Sequence, residues 1–256
     1  MRVAVAQLTS VPGDVEANVA TAVQAVSQAG GAALLVLPEL FLTGYTLPPA
    51  VIAADDPRLG PLQEAASAVG TVVLAGAAVP GQARPRLATL AFGGDHVRQV
   101  YDKQHLSGGE QDWFEPGEAG TVLDLAAVPV ALATCYDTCF PEHGRAAADA
   151  GAVLYAASIA YYAGSEHRRD LYTRARALDN GFFVAVGALV GRCGDGEFCG
   201  GAAIHDPEGR TVAAVPDGEQ GVAVADLDLA LVAETRMLHP MLDERRALAP
   251  ARRIVL

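Results

Sequence analysis

Residues 2–40, RVAVAQLTSVPGDVEANVATAVQAVSQAGGAALLVLPEL, decide the fold class. An apolar run at Arg2 to Gln7 and a second at Leu34 to Leu37 have the length and composition of buried strands. Between them Asp14 stands as an N-cap before VEANVATAVQAVSQ, where Val15, Val19, Val23 and Val26 share one helical face, and Gly30-Gly31 closes the helix. Strand, helix, strand in this order predicts an α/β protein.

The rest of the chain keeps that grammar. Strand-like runs recur at Val72 to Ala78, Leu87 to Phe92, Val97 to Tyr101, Val128 to Thr134, Val153 to Ala157, Phe183 to Gly187 and Gly221 to Asp226. Helices are expected near Leu62 to Val69, Pro141 to Asp149 and Glu166 to Asn180, the last closed by Gly181. The Gly93-Gly94 pair between LATLAF and HVRQVY is a hairpin turn, so part of the sheet is antiparallel. No repeat or low-complexity linker interrupts the 256 residues, which are read as a single domain, 1–256.

Composition narrows the function. With 51% hydrophobic residues the chain buries a large core, and a net charge of −12 leaves no basic surface for nucleic acid or anionic lipid. No apolar run reaches the roughly 18 residues that a membrane span needs, since ALLVLPELFL is broken by Pro38 and Glu39. The N-terminus turns polar too early for a signal peptide, and a cytoplasmic protein is expected. Its four cysteines, Cys135, Cys139, Cys193 and Cys199, are too sparse for a disulfide framework. Their C-x3-C and C-x5-C spacings also lie outside tight zinc knuckles, so no metal site is expected.

Three segments place a reactive residue just past a strand, where a loop aims it into a cleft. In LLVLPELFLTGY the strand runs into Glu39 among apolar neighbours; desolvation there raises a carboxyl pKa and makes it a proton acceptor near neutral pH, unless it simply faces water. In VRQVYDKQHLSGGEQDWFEPGE the strand delivers Lys103, a fixed cation for an oxyanion or else a surface charge paired with Asp102. In VPVALATCYDTCFPEHG the strand ends at Cys135 with a helix close behind. A thiol at such an elbow is expected to have its pKa lowered by the helix N-terminus and to lie beside free backbone N–H groups, with Tyr136 and Asp137 keeping the turn polar.

Together these segments resemble the nitrilase, or carbon–nitrogen hydrolase, superfamily. Its P-E-x-x-x-x-G-Y pattern is matched by Pro38, Glu39, Gly44 and Tyr45, its Y-x-K-x-H-L pattern by Tyr101, Lys103, His105 and Leu106, and its C-Y-D-x-x-F-P-E pattern by Cys135, Tyr136, Asp137, Phe140, Pro141 and Glu142. Further matches are Glu110, Phe114, Pro116 and Gly117, then Arg176, Ala177 and Asn180. The late GGAAIHDPEG stretch matches as well. One departure is Ala188, at a position where family members often carry asparagine.

The resemblance implies a four-layer α-β-β-α sandwich, often associated as a homodimer or higher homo-oligomer through its helical layers. It implies hydrolysis of a small non-peptide amide with Cys135 as nucleophile, Glu39 as proton acceptor, Lys103 as oxyanion partner and Glu110 as a second, loop-borne carboxylate. No metal or organic cofactor is required. Tyr45, Tyr136 and Tyr161 are the aromatics expected nearest the substrate, and one of Arg168, Arg169 and Arg174 is a candidate to meet a substrate carboxylate. The same triad also serves N-carbamoyl amide hydrolases and true nitrilases. More distant readings are a papain-like hydrolase using His105 or His143 as base, and a non-catalytic binding subunit.

Overall fold

The computed structural model describes residues 1–255. Its strands are β1 (Arg2–Leu8), β2 (Leu34–Val36), β3 (Val72–Val79), β4 (Arg86–Phe92), β5 (Arg98–Asp102), β6 (Val122–Leu125), β7 (Val128–Thr134), β8 (Leu154–Ile159), β9 (Phe183–Cys193), β10 (Gly196–Cys199), β11 (Ala203–His205), β12 (Thr211–Ala214) and β13 (Gly221–Asp226). The helices are α1 (Val15–Gln28), α2 (Gly60–Val69), the single-turn α3 (Glu110–Trp113), α4 (Pro141–Asp149), α5 (Glu166–Asn180) and α6 (Ala230–Leu238).

These strands form one continuous sheet whose main path runs β5-β4-β3-β2-β1-β9-β8-β7-β6. It curls on itself at the short parallel pairing of Gln7 and Leu8 with Ala188 and Leu189, so that two halves face each other. Residue parity records the layers, because successive side chains of a strand point to opposite faces. Val3, Val5, Leu34, Val36 and Leu74 meet Val130, Leu132, Leu154 and Ala156 of the other half. Their alternates Ala4, Ala6, Leu35, Leu37, Val73 and Ala75 turn outward onto Val15, Val19, Ala22 and Val26 of α1 and Leu62 and Ala66 of α2. On the far side Ala147 and Ala148 of α4 and Ala177 of α5 cover Tyr155 and Phe182. The result is the four-layer α-β-β-α sandwich expected from the motifs.

Local signals worked where they were strong. Asp14 caps α1 by accepting from the Ala17 N–H at 3.0 Å, and Gly181 ends α5 in the left-handed conformation at φ 55°. The Gly93-Gly94 turn joins β4 and β5 as an antiparallel pair. Several elements were not anticipated: β6, β10, β11, β12, α6 and the extension of β9 from Gly187 to Cys193. Those strands are short or half-exposed with polar and glycine residues interleaved, and α6 has no side-chain cap, so neither periodicity nor capping announces them. No helix among the described residues is long and apolar enough to cross a membrane.

Candidate active site

Glu39, Lys103 and Cys135 all follow the carboxyl ends of strands, β2, β5 and β7, which brings residues up to about a hundred positions apart to one end of the sandwich. The loop after β2 passes so close to β3 that a Cβ on Gly76 would collide with the backbone of Glu39 and Leu40. A Cβ on Gly187 would likewise collide with Val36 and Leu37. Leu40 itself takes φ 48°, a strained value for a branched side chain. The glutamate is thus driven into the interior by a close approach that glycines on β3 and β9 permit.

There Glu39 is fully buried, and it is not the water-facing strand-end residue that its segment also allowed. Lys103 is buried too, with its backbone pinned by the Leu87 carbonyl at 2.8 Å and by the Gly117 N–H at 2.8 Å. Asp102 does not pair with it but with Arg86, at 3.0 Å. The Lys103 ammonium donates to Glu39 Oε1 at 2.7 Å and to Glu110 Oε1 and Oε2 at 2.9 and 2.8 Å. Glu110, at the start of α3, is buried as well; it accepts from the Ser107 N–H at 2.7 Å and from the Tyr45 hydroxyl at 2.5 Å. Burial disfavours the lysine's charge, yet the two carboxylates outweigh it and hold the ammonium above its ordinary range. Desolvation raises the Glu39 carboxyl to about 7 against the pull of Lys103, with Glu110 adding to the rise.

Glu39 Oε2 is the atom left over. It is buried without a conventional hydrogen-bond partner, and the thiol that bears on this carboxyl is Cys135. Cys135 opens a tight turn, Cys135–Cys139, at φ 40°, a left-handed value that is strained for a residue other than glycine. The expected lowering of its pKa is corrected by the structure. Desolvation comes first and the Glu39 charge second in pushing the thiol well above its usual value, against Lys103 and a backbone hydrogen bond from Ala160. The regular helix α4 begins only at Pro141, beyond the turn that Cys135 opens.

Asp137 is fully buried and ties two of the segments together, where the sequence had suggested only a polar turn. Its Oδ2 accepts from the Thr134 N–H at 2.9 Å and the Tyr101 hydroxyl at 2.7 Å, and its Oδ1 faces the His105 N–H at 2.9 Å and Nδ1 at 2.8 Å. Tyr101 and His105 flank Lys103, and Thr134 precedes Cys135. His143 is held between the hydroxyls of Tyr101 and Tyr155, at 2.9 and 2.8 Å. Both imidazoles are therefore committed to other partners, and the Cys–His pair of a papain-like site is not formed.

Among the expected aromatics, Tyr45 reaches Glu110 directly, and Tyr161 bonds Thr138 and Cys139 at 3.2 and 3.3 Å on the turn that carries Cys135. Tyr136 is exposed and packs edge-on against Phe140. Two residues not singled out in the sequence complete the surroundings. Tyr162 and Phe198 stack at 4.9 Å beside Tyr45. None of the three arginines turns to this site: Arg168 bonds Ser165, Arg169 is buried against Asp170, and Arg174 bonds the Gly209 carbonyl.

A sequence-family model, carbon-nitrogen hydrolase, matches residues 2–237. The chain belongs to this family. It is a hydrolase of carbon–nitrogen bonds other than peptide bonds. An (R)-stereoselective amidase of Pseudomonas sp. is 31% identical over 256 residues, covering 96% of this chain and 92% of that protein. A 2-oxoglutaramate amidase of Bacillus subtilis is 32% identical, over 83% of this chain and 85% of the relative. Among solved structures, a variant of the amidase from Nesterenkonia sp. AN1, showing the result of Michael addition of acrylamide at its active-site cysteine, superposes with a TM-score of 0.80. It is 29% identical and covers 94% of this chain and 98% of its own.

Proposed function

We propose that this carbon–nitrogen hydrolase cleaves a small carboxamide through a thioester on Cys135, with Glu39 as proton acceptor, Lys103 as oxyanion partner and Glu110 as the residue that orients them. The observation that carries the reading is the buried ammonium of Lys103 clamped between two carboxylates, with one oxygen of Glu39 left for the thiol. A raised thiol and a carboxyl raised to about 7 suit a proton transfer that waits for substrate. Glu39 Oε2 takes the Sγ proton as sulfur attacks the amide carbon. The oxyanion that forms is met by the Lys103 ammonium and by the backbone N–H of Tyr136.

When the C–N bond breaks, Glu39 returns that proton to the departing nitrogen, and ammonia or an amine leaves. Water then attacks the thioester and gives a proton to Glu39; the acid departs and the proton returns to sulfur. Amidase activity in the Pseudomonas and Bacillus relatives supports the choice of an amide substrate. The test is ammonia release from a panel of primary amides, nitriles and N-carbamoyl compounds. Turnover of amides that disappears in Cys135→Ala supports the reading, and turnover of nitriles or carbamoyl compounds alone refutes it.

In this reading residues 1–256 act as one domain, supported by the family match over 2–237 and by the single continuous sheet. Self-association through the helical layers is supported by Leu171 and Leu178, exposed on one face of α5, and by Met237 and Leu238 on α6. Light scattering that gives a monomer at micromolar concentration would remove that part of the proposal.

A further inference from the structure

Beside Glu110 stands an aromatic wall that the hydrolytic chemistry does not use. Tyr162, just past β8, is half exposed, while Phe198 of β10 is buried beneath it. The two pair as an isolated β-bridge and stack at 4.9 Å with planes 25° apart. Both rings lean on Tyr45, at 6.2 and 5.2 Å, and Tyr45 in turn is anchored on Glu110. A Cβ on Gly196 would come within 2.7 Å of the Phe198 ring and 3.0 Å of the Tyr162 ring, so the hairpin can carry only glycine there while the wall stands. The Tyr162 phenol is raised first by burial and then by the charges of Glu39, Glu110 and Cys135.

The charge in front of that wall is one-sided. One ammonium faces two carboxylates, and its hydrogen bonds go to them. Above about pH 7, where Glu39 is ionised, the cluster carries a net −1. Arg168, Arg169 and Arg174 are spent on Ser165, Asp170 and Gly209, and Arg192, opposite Glu197 in the β9–β10 ladder, lies on the face away from Phe198. A substrate with a second carboxylate therefore finds like charge without a partner, whereas a neutral acyl chain finds an apolar face.

Resting on the amidase reading above, we propose that the site selects neutral carboxamides whose acyl chain lies against Tyr162 over Phe198, and discriminates against amides that carry a second carboxylate. One like charge held about 7 Å away at an effective dielectric of about 20 corresponds to roughly 50-fold in kcat/KM.

A shape-matched pair tests this: 4-methylpentanamide and succinamate differ chiefly in replacing an isopropyl group by a carboxylate. Two readouts are taken at pH 8, kcat/KM for ammonia release and protection of Cys135 from iodoacetamide. The wild-type protein is expected to favour the neutral compound by at least 20-fold in both. Tyr162→Arg places a cation on the wall at a half-exposed position and should narrow the ratio at least tenfold. Tyr162→Ala should raise KM for 4-methylpentanamide more than it lowers kcat. Equal use of the two compounds, a preference for succinamate, a ratio unmoved by Tyr162→Arg, or no protection by 4-methylpentanamide at any soluble concentration overturns the proposal. Selective protection by the neutral compound without turnover of either upholds the selectivity and refutes the amidase reading instead.

Discussion

Replacing Asp137 by asparagine should loosen the joint between the nucleophile and the lysine without touching either. The carboxylate has four donors arranged around it, the Thr134 and His105 N–H groups, the Tyr101 hydroxyl and His105 Nδ1, at 2.7 to 2.9 Å. Asparagine keeps the shape but turns an NH2 group toward two of these donors, leaving them unpaired in a buried site. At about 1–3 kcal/mol for each orphaned group, the loss is about 2–6 kcal/mol. For a chain of this size that lowers Tm by roughly 8–16 °C at the middle of the range. Because Tyr101, His105 and Thr134 flank the reactive residues, kcat should fall by at least about tenfold at a temperature where the variant is still folded. KM should change little, and iodoacetamide should alkylate Cys135 at an altered rate. Calorimetry, steady-state kinetics and alkylation measured on one preparation separate these effects. A Tm within about 3 °C of wild type together with unchanged kcat would refute the reasoning, since a carboxylate with four donors cannot lose its charge silently.

Lys103→Met leaves two buried carboxylates facing each other, so turnover should drop at least about 100-fold and Tm should recover as pH falls and one of them takes a proton; near-normal kinetics would return the lysine to a bystander role. Glu110→Gln should leave Cys135 alkylation close to wild type while amide turnover falls roughly 10²-fold, whereas Glu39→Gln should depress both together. With Glu39 raised to about 7, kcat/KM should decline as pH drops through that value, and an acid limb below pH 5 would contradict the assignment of Glu39 as base. The same shift has a sign for stability. The folded protein holds the Glu39 proton more tightly than the unfolded chain, whose carboxyl titrates near 4.5, so this group's contribution weakens as pH rises from about 4.5 to 7. Denaturant melts across that window should show the trend in wild type and not in Glu39→Gln.

The layers were legible because buried strands such as Leu34–Val36 are wholly apolar and because Asp14 marks the start of α1 and Gly181 the end of α5. Glu39, Lys103 and Cys135 were legible as residues just past strands and as members of spaced motifs. What each one experiences was not legible, because it depends on partners distant in the chain. Lys103 reads locally as a neighbour of Asp102, and only the fold sets it against Glu39, 64 positions away. Asp137 looked like a polar turn residue until Tyr101 and His105 arrived around it. The direction of the Cys135 shift was misread for a similar reason. The sequence displays the turn and the helix that follow, but neither the desolvation nor the carboxylate brought in from β2. Tyr162 escaped because Tyr161 and Tyr162 are indistinguishable in sequence, and only the β8 exit decides which ring stacks on Phe198.

The claim that Cys135 forms the covalent intermediate is tested most directly by trapping it. The protein is mixed with a turned-over primary amide, quenched in acid within the first turnover and digested, and the cysteine peptides are weighed. The account predicts the acyl mass on the peptide bearing Cys135, its loss when the unquenched mixture is left to exhaust the amide, and its absence from Cys135→Ala. An acyl group on Cys139, Cys193 or Cys199, or undiminished amide turnover in Cys135→Ala, would contradict it.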